Sequence, residues 1–223
     1  MSTGDRLIRA GLVGGIVAPV LWAAVIVIAG HLRPGFDHVA QYISELAERG
    51  SSTQALMRYA GFVASGLLHI GYAAAFHGAL ARLGERRRLA LAVAMLIAVN
   101  GLGRIGAGLF ACEPGCLAPE VLTQRLHSLA ATVAFLAIAG AALLGAVLFR
   151  RHPGLRPLAA YSLASAVGGL LCLGLMSAGE SSGESTGLRV GLYERLASGL
   201  FSLWVLVGAA CLLRLLGQRP PAA

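Results

Sequence analysis

The chain has 223 residues, 57% of them hydrophobic and only 13% charged, with a mean hydropathy of +0.76. Soluble domains carry about 25% charged residues, so this composition cannot clothe a water-soluble globule. The formal charge of +8 comes from arginine without any lysine, in short clusters between apolar runs, which argues against a nucleic-acid surface and for topology signals and contacts to anionic membrane lipid.

Several apolar runs exceed the roughly 20 residues needed to cross a bilayer. We therefore expect an all-α polytopic membrane protein: one transmembrane domain over residues 1–223, six transmembrane helices, and a short interfacial helix in the first outer loop. Arginine-only basic usage with abundant alanine and glycine fits a GC-rich bacterial genome.

Helix one is expected over about 8–31. Its apolar run, 10–30, is longer than the 7–15 residues of a signal-peptide core, and no small-x-small cleavage site follows, so we read it as retained. Gly11 and Gly15 offer a close-packing face. Pro19 is a candidate kink. Arg33-Pro34-Gly35 then makes a turn. From Asp37 onward Val39, Ile43, Leu46 and Ala47 fall at helical spacing, with His38, Gln41, Glu45 and Glu48 opposite. That pattern predicts a short helix lying on the bilayer surface, closed by Gly50.

Ser51 and Gln54 form a capping-box pattern that opens helix two, about 54–83. His69, Tyr72 and His77 on it are expected to hydrogen-bond between helices. Helix three, about 88–111, carries Gly101, Gly103, Gly106 and Gly108, which permit close backbone approach. Helices four, five and six are expected at about 123–149, 156–179 and 189–216, with a polar Gly/Ser loop at 179–187 between the last two.

One side of this threading holds Arg6, Arg9, Arg82, Arg86, Arg87, Arg88, Arg150, Arg151, Arg156, Arg214 and Arg219 against Asp5 and Glu85. The other side holds the remaining eight acids. The positive-inside rule then puts both termini in the cytoplasm of a bacterial inner membrane.

Ionisable groups converge at the other, outer end. Arg104 lies inside helix three, about 10 Å from its outer end at 1.5 Å per residue. Glu194 and Arg195 are about as deep in helix six, and His127 is one turn into helix four. Glu113 sits in the loop between helices three and four, and Asp37, His38 and Ser44 in the first outer loop. Charges in hydrocarbon must be paired or hydrogen-bonded. By depth, Arg104 pairs with Glu194 and Arg195 with Glu113. One reading is a binding pocket built from Asp37, Ser44, Arg104, Glu113, His127, Glu194 and Arg195. The competing reading is a set of structural ion pairs that lock the bundle.

Catalysis would fall to His127 as general base, with Glu113 and Ser44 as partners. A metal would fall to His127, Glu113 and His38. Cys112 and Cys116 flank Pro114-Gly115 and can pair if their loop faces an oxidising compartment. No GxSxG, HExxH, Walker or GxGxxG pattern supports a known chemistry here, and the residues name no cofactor.

The stretches LRPGFDHVAQYISELAERGS, GAGLFACEPG, RLHSLAATVAF and GLYERLASGLFSLW together resemble the family catalogued as domain of unknown function 998, multi-pass membrane proteins of bacteria and archaea. The matching positions are Arg33 to Asp37, Ile43 to Leu46, Glu113-Pro114 and His127. Relatives often carry aspartate where Glu113 stands, and Arg104 and the Cys112/Cys116 pair fall outside the pattern. The resemblance implies six helices and an outer polar cluster, and no activity. The leading expectation is an integral membrane protein that binds a lipid or amphiphile headgroup at that cluster. The alternatives are a membrane-embedded hydrolase or transferase, and a small-molecule transporter.

Overall fold

The computed structural model describes residues 2–84, 87–181 and 189–218. Glu85, Arg86, Arg219 and residues 182–187 of the polar loop therefore lie outside the described residues.

Among the described residues all regular structure is helical. The long helices are α1 (Thr3–Leu32), α2 (Ser65–Arg82, entered through a π-helical stretch, Leu56–Ala64), α3 (Arg87–Leu109), α4 (Leu122–Phe149), α5 (Pro157–Ser181) and α6 (Val190–Gly217). Counting the π stretch with α2, six helices are long and apolar enough to cross a membrane. Pro19 lies inside α1, which runs unbroken from Thr3 to Leu32. A capping box between Ser2 and Asp5 starts that helix.

Each helix packs on its neighbours in the chain, and α1 closes the ring against α6. α6 also touches α2 and α4. Glycine makes the tightest approach possible. A Cβ on Gly101 would stand 2.6 Å from the Gly66 carbonyl oxygen, and a Cβ on Gly66 would stand as close to that of Gly101. Small residues are the usual device for bringing helices together in lipid, where no hydrophobic force separates helix from solvent. Outward faces carry Val13, Val17, Val20 and Val27 on α1 and Leu129, Val133, Leu136 and Leu143 on α4, all exposed. Lipid tails tolerate such faces; water would not.

The start of α1 and the end of α6 lie at one end of the ring, called here the terminus end. The opposite plug end carries residues 33–50 and the α3–α4 loop. The short helix expected in the first of these is a single 3-10 turn, Ile43–Ala47. It does not lie flat on the surface. Ile43, Leu46 and Ala47 are at most 1% exposed, sunk in the mouth of the ring against α1, the π stretch and α6. Five residues are too few to sustain an isolated helix; the burial of these three side chains holds the turn.

The start of helix two also differs from the capping box. Gln54 Oε1 accepts the Gly50 N–H at 3.0 Å, but the Ser51 hydroxyl donates to the Leu46 carbonyl instead of capping the helix. The π stretch that follows was not legible in the sequence. Such turns are rare and concentrate at functional sites. Here it places Met57 and Phe62 inward. It also lets Arg58 donate to the Gly108 and Leu109 carbonyls at 2.7 and 2.6 Å. That caps the exposed acceptor end of α3 with a cation, the favourable sign for a helix C-terminus.

Candidate functional site

Residues 33–50 fold into a plug tied to both sides of the ring. On the α6 side the Leu192 N–H donates to the Val39 carbonyl at 2.9 Å. Arg195 Nη1 donates to the Gln41 carbonyl at 2.7 Å and to its own helix at Gly191. The Ile43 N–H donates to Glu194 Oε2 at 2.6 Å. Gly191 is required there, because any Cβ would collide with the Gln41 carbonyl. On the α3–α4 side the Arg49 N–H donates to the Cys112 carbonyl at 2.9 Å, and the Gly115 N–H to Glu48 Oε2 at 2.7 Å.

Inside the plug, Arg33 pairs with Glu48 at 2.5 Å and donates to the Glu45 carbonyl. Glu45 accepts from the Tyr42 N–H at 2.8 Å and from Gln41 Nε2 at 2.6 Å. Glu45 and Glu48 are both buried. Asp37 accepts the Val39 and Ala40 N–H groups, which hold its carboxyl below the usual value. Burial, followed by the charge of Arg195, holds His38 below its usual value. Cys112 and Cys116 are disulfide-bonded beneath this network. The Ser44 hydroxyl lies 3.3 Å from Cys116 Sγ.

Below the plug are two adjoining cavities. The larger, about 330 Å³, lies between α4, α5, α6 and the plug, with Tyr42 and Ser44 above, His127, Thr132 and Leu136 on α4, Leu173 and Met176 on α5, and Glu194 on α6. The smaller, about 60 Å³, runs to the ring axis past Trp22, Asn100, Arg104 and Ser198. Ser44, His127, Ala131, Phe135 and Glu194 line both.

The structure thus brings together four residues singled out from the sequence: Ser44, Arg104, His127 and Glu194. Asp37, Glu113 and Arg195 line neither cavity. The expected pairings are corrected. Arg104 makes no ion pair with Glu194; its guanidinium lies over the Trp22 ring, 4.4 Å from the centroid, with Nη1 3.4 Å from the Ser65 hydroxyl. Its Nε is buried without a partner. Arg195 does not meet Glu113, because it reaches up to the plug backbone and lies over Phe36. Glu113 pairs with Arg49 at 3.1 Å and accepts from Thr123 at 3.0 Å. Depth along a helix could not say which way round its helix each of these groups faces.

His127 Nδ1 lies 2.9 Å from the Ala107 carbonyl and 2.8 Å from that of Phe110. Two acceptors fix the proton on Nδ1, so the neutral ring presents Nε2 as an acceptor on a side chain that lines both cavities. Backbone carbonyls, not Glu113, orient this histidine. Among the described residues no three of histidine, cysteine, aspartate and glutamate are placed to share a metal ion, so His127, Glu113 and His38 are not gathered as a ligand set. Asn100 was missed in the sequence reading. Its Nδ2 donates to the Ala134 carbonyl at 2.9 Å, and its Oδ1 is buried without a partner. A lone asparagine in an apolar run was the available signal.

No curated protein and no solved structure matches the chain. The plug, the acid-Pro pair at Glu113 and the histidine at the head of α4 all fall within residues 16–211, the span matched by the model of a family described as protein of unknown function (DUF998). The chain belongs to that family.

Proposed function

We propose that the protein is a bacterial inner-membrane protein that binds the polar head of an amphiphile in the twin cavity beneath its plug. The observation that carries this reading is Arg104: a buried cation with an unpartnered Nε, no carboxylate on it among the described residues, and an adjoining cavity. An unpaired charge in hydrocarbon is costly, and an anionic headgroup oxygen would offset that cost with a charge-assisted bond. The apolar side chains of Leu136, Leu173 and Met176 along the larger cavity suit the start of an acyl chain.

We further propose that both termini are cytoplasmic and the plug faces outward. The arginine distribution supports this, as does a disulfide at the plug end, since such bonds persist in oxidising compartments. A reporter inserted beside Glu113 and found inside the cell would overturn the orientation. Native mass spectrometry of the purified chain tests the binding. Wild type is expected to retain phospholipid that Arg104→Ala loses; equal retention would overturn the reading.

One observation favours a second reading. His127 Nε2 and Ser44 share a cavity wall, as a general base and a hydroxyl would in a membrane-embedded hydrolase or transferase. Glu113 is not available to orient that base. Turnover of ester-containing lipid, lost in both His127→Ala and Ser44→Ala, would replace binding with catalysis.

A further inference from the structure

We propose that the ligand's head joins an anionic oxygen group to a neighbouring hydroxyl or ammonium donor, and that it enters sideways between α4 and α5. This rests on the headgroup reading and names its chemistry and its route.

The donor requirement follows from the cavity's unmatched atoms. Arg104 Nε is an unsatisfied donor and Asn100 Oδ1 an unsatisfied acceptor, on residues 9% and 3% exposed that line the same small cavity. His127 Nε2 adds a second acceptor on the shared wall. A buried donor or acceptor left unmatched is costly, so a site with both favours a ligand that satisfies both. An anion alone answers Arg104 and leaves Asn100 unmet. A head carrying an ammonium or hydroxyl beside its anionic oxygen answers both. At about 60 Å³ the inner cavity holds only a few water-sized groups, enough for such a head and not for a tail.

The route follows from what closes each side. From the plug end the way is blocked by Ile43 and Leu46, both fully buried, and by bonds to α6 and to the α3–α4 loop. On the flank, the larger cavity reaches Thr132 and Leu136 on α4, both exposed, with half-buried Leu173 and Met176 opposite on α5. Leu136 is 57% exposed on the face that meets lipid. An amphiphile already in the bilayer can insert its head there and leave its tail outside.

The test titrates the purified full-length chain in detergent with four probes, followed by native mass spectrometry. Lysophosphatidylethanolamine has anion, donor and tail. Lysophosphatidylcholine lacks the ammonium N–H, and the sn-2 hydroxyl is methylated in both lysolipids so that it supplies no donor in its place. Phosphoethanolamine lacks the tail, and inorganic phosphate lacks both tail and ammonium. Lysophosphatidylethanolamine is expected to bind at least about 10-fold tighter than lysophosphatidylcholine, and both soluble probes much more weakly. Asn100→Leu is expected to erase the preference between the lysolipids. Arg104→Gln is expected to weaken both about 10-fold or more, with partial rescue by Arg104→Lys, which separates a charge effect from misfolding. Leu136→Trp is expected to slow lysolipid association.

Equal binding of the two lysolipids by wild type overturns the donor requirement. Soluble probes binding as tightly as lysolipid, or unchanged association in Leu136→Trp, overturn the lateral route. Lysolipid binding unchanged in Arg104→Gln overturns the headgroup reading itself; binding weakened in Arg104→Gln with the lysolipid preference kept in Asn100→Leu overturns the donor subsite and leaves the headgroup reading standing. Binding unchanged in every variant overturns both.

Discussion

The two halves of the bundle are held by different forces. Toward the terminus end lies a continuous apolar core that includes Leu12, Tyr72, Phe76, Leu80, Ile97, Phe149 and Leu212, all at most 1% exposed. Its aromatic rings meet edge to face, Tyr72 with Phe76 at 5.9 Å and Phe76 with Phe149 at 6.2 Å. Toward the plug end the apolar cluster is smaller, built on Trp22, Ile43, Leu46, Met57 and Phe62. Around it sit Glu45, Glu48, Arg104, His127 and Glu194, all buried, and both cavities. Packing dominates the first half, with a buried hydrogen bond from Trp204 Nε1 to the Ser162 hydroxyl inside it. The second gives up packing for hydrogen bonds and open space, which is where a binding site can form.

The largest effect expected from breaking this contrast is in the dry half. Phe76→Ala removes a fully buried ring and is expected to cost about 4 kcal/mol of stability, while leaving lysolipid affinity unchanged. Unfolding in detergent beside a binding titration checks both; lost affinity would mean that the halves are coupled. Next comes the plug. Glu48→Ala strands Arg33 and frees the Gly115 N–H, with an expected cost of about 3 kcal/mol. Hydrogen exchange should rise across residues 33–50 and stay flat across α4 and α5; a uniform rise would show that the plug does not open on its own.

A smaller effect is expected of the disulfide. Cys112 and Cys116 close a loop with a sequence separation of only 4, so replacing both with serine is expected to cost about 1–2 kcal/mol. A thermal unfolding curve with and without reductant checks it. The smallest effect is that of pH. The folded plug holds His38 below its ordinary value of 6.5, so the unfolded chain takes up that proton first. Stability from His38 is therefore whole above about pH 6.5 and declines as pH falls through that value toward the folded one. Asp37, held below its ordinary 3.8, adds a second loss only as pH falls below about 3.8. Protection of the amides of residues 38–43, with the intrinsic pH dependence of exchange divided out, should fall on mild acidification in wild type and not in His38→Gln. A fall in protection toward high pH instead would reverse the sign and refute the assignment.

Legibility differed by kind of feature. The arginine inside helix three, the histidine at the head of helix four and the cysteine pair stood out because each is rare in an apolar chain. Their partners did not. Arg104 faces Trp22 and Arg195 faces the Gln41 carbonyl because of how α3 and α6 are rotated, and rotation leaves no mark on a hydropathy profile. Glu45 and Glu48 read as the wet face of a surface helix, yet both are buried and tie the plug together. Helical spacing reports which residues share a side, not whether the other side meets water.

What the chain's composition determined by itself was the solvent and the threading: long apolar runs have to satisfy their own backbone hydrogen bonds in lipid, which leaves helices as their form here. Only the tertiary structure decided which polar side chains meet. Asn100, Arg104, His127 and Glu194 come from three helices, and no sequence separation can state that they line one cavity until the ring closes α1 against α6.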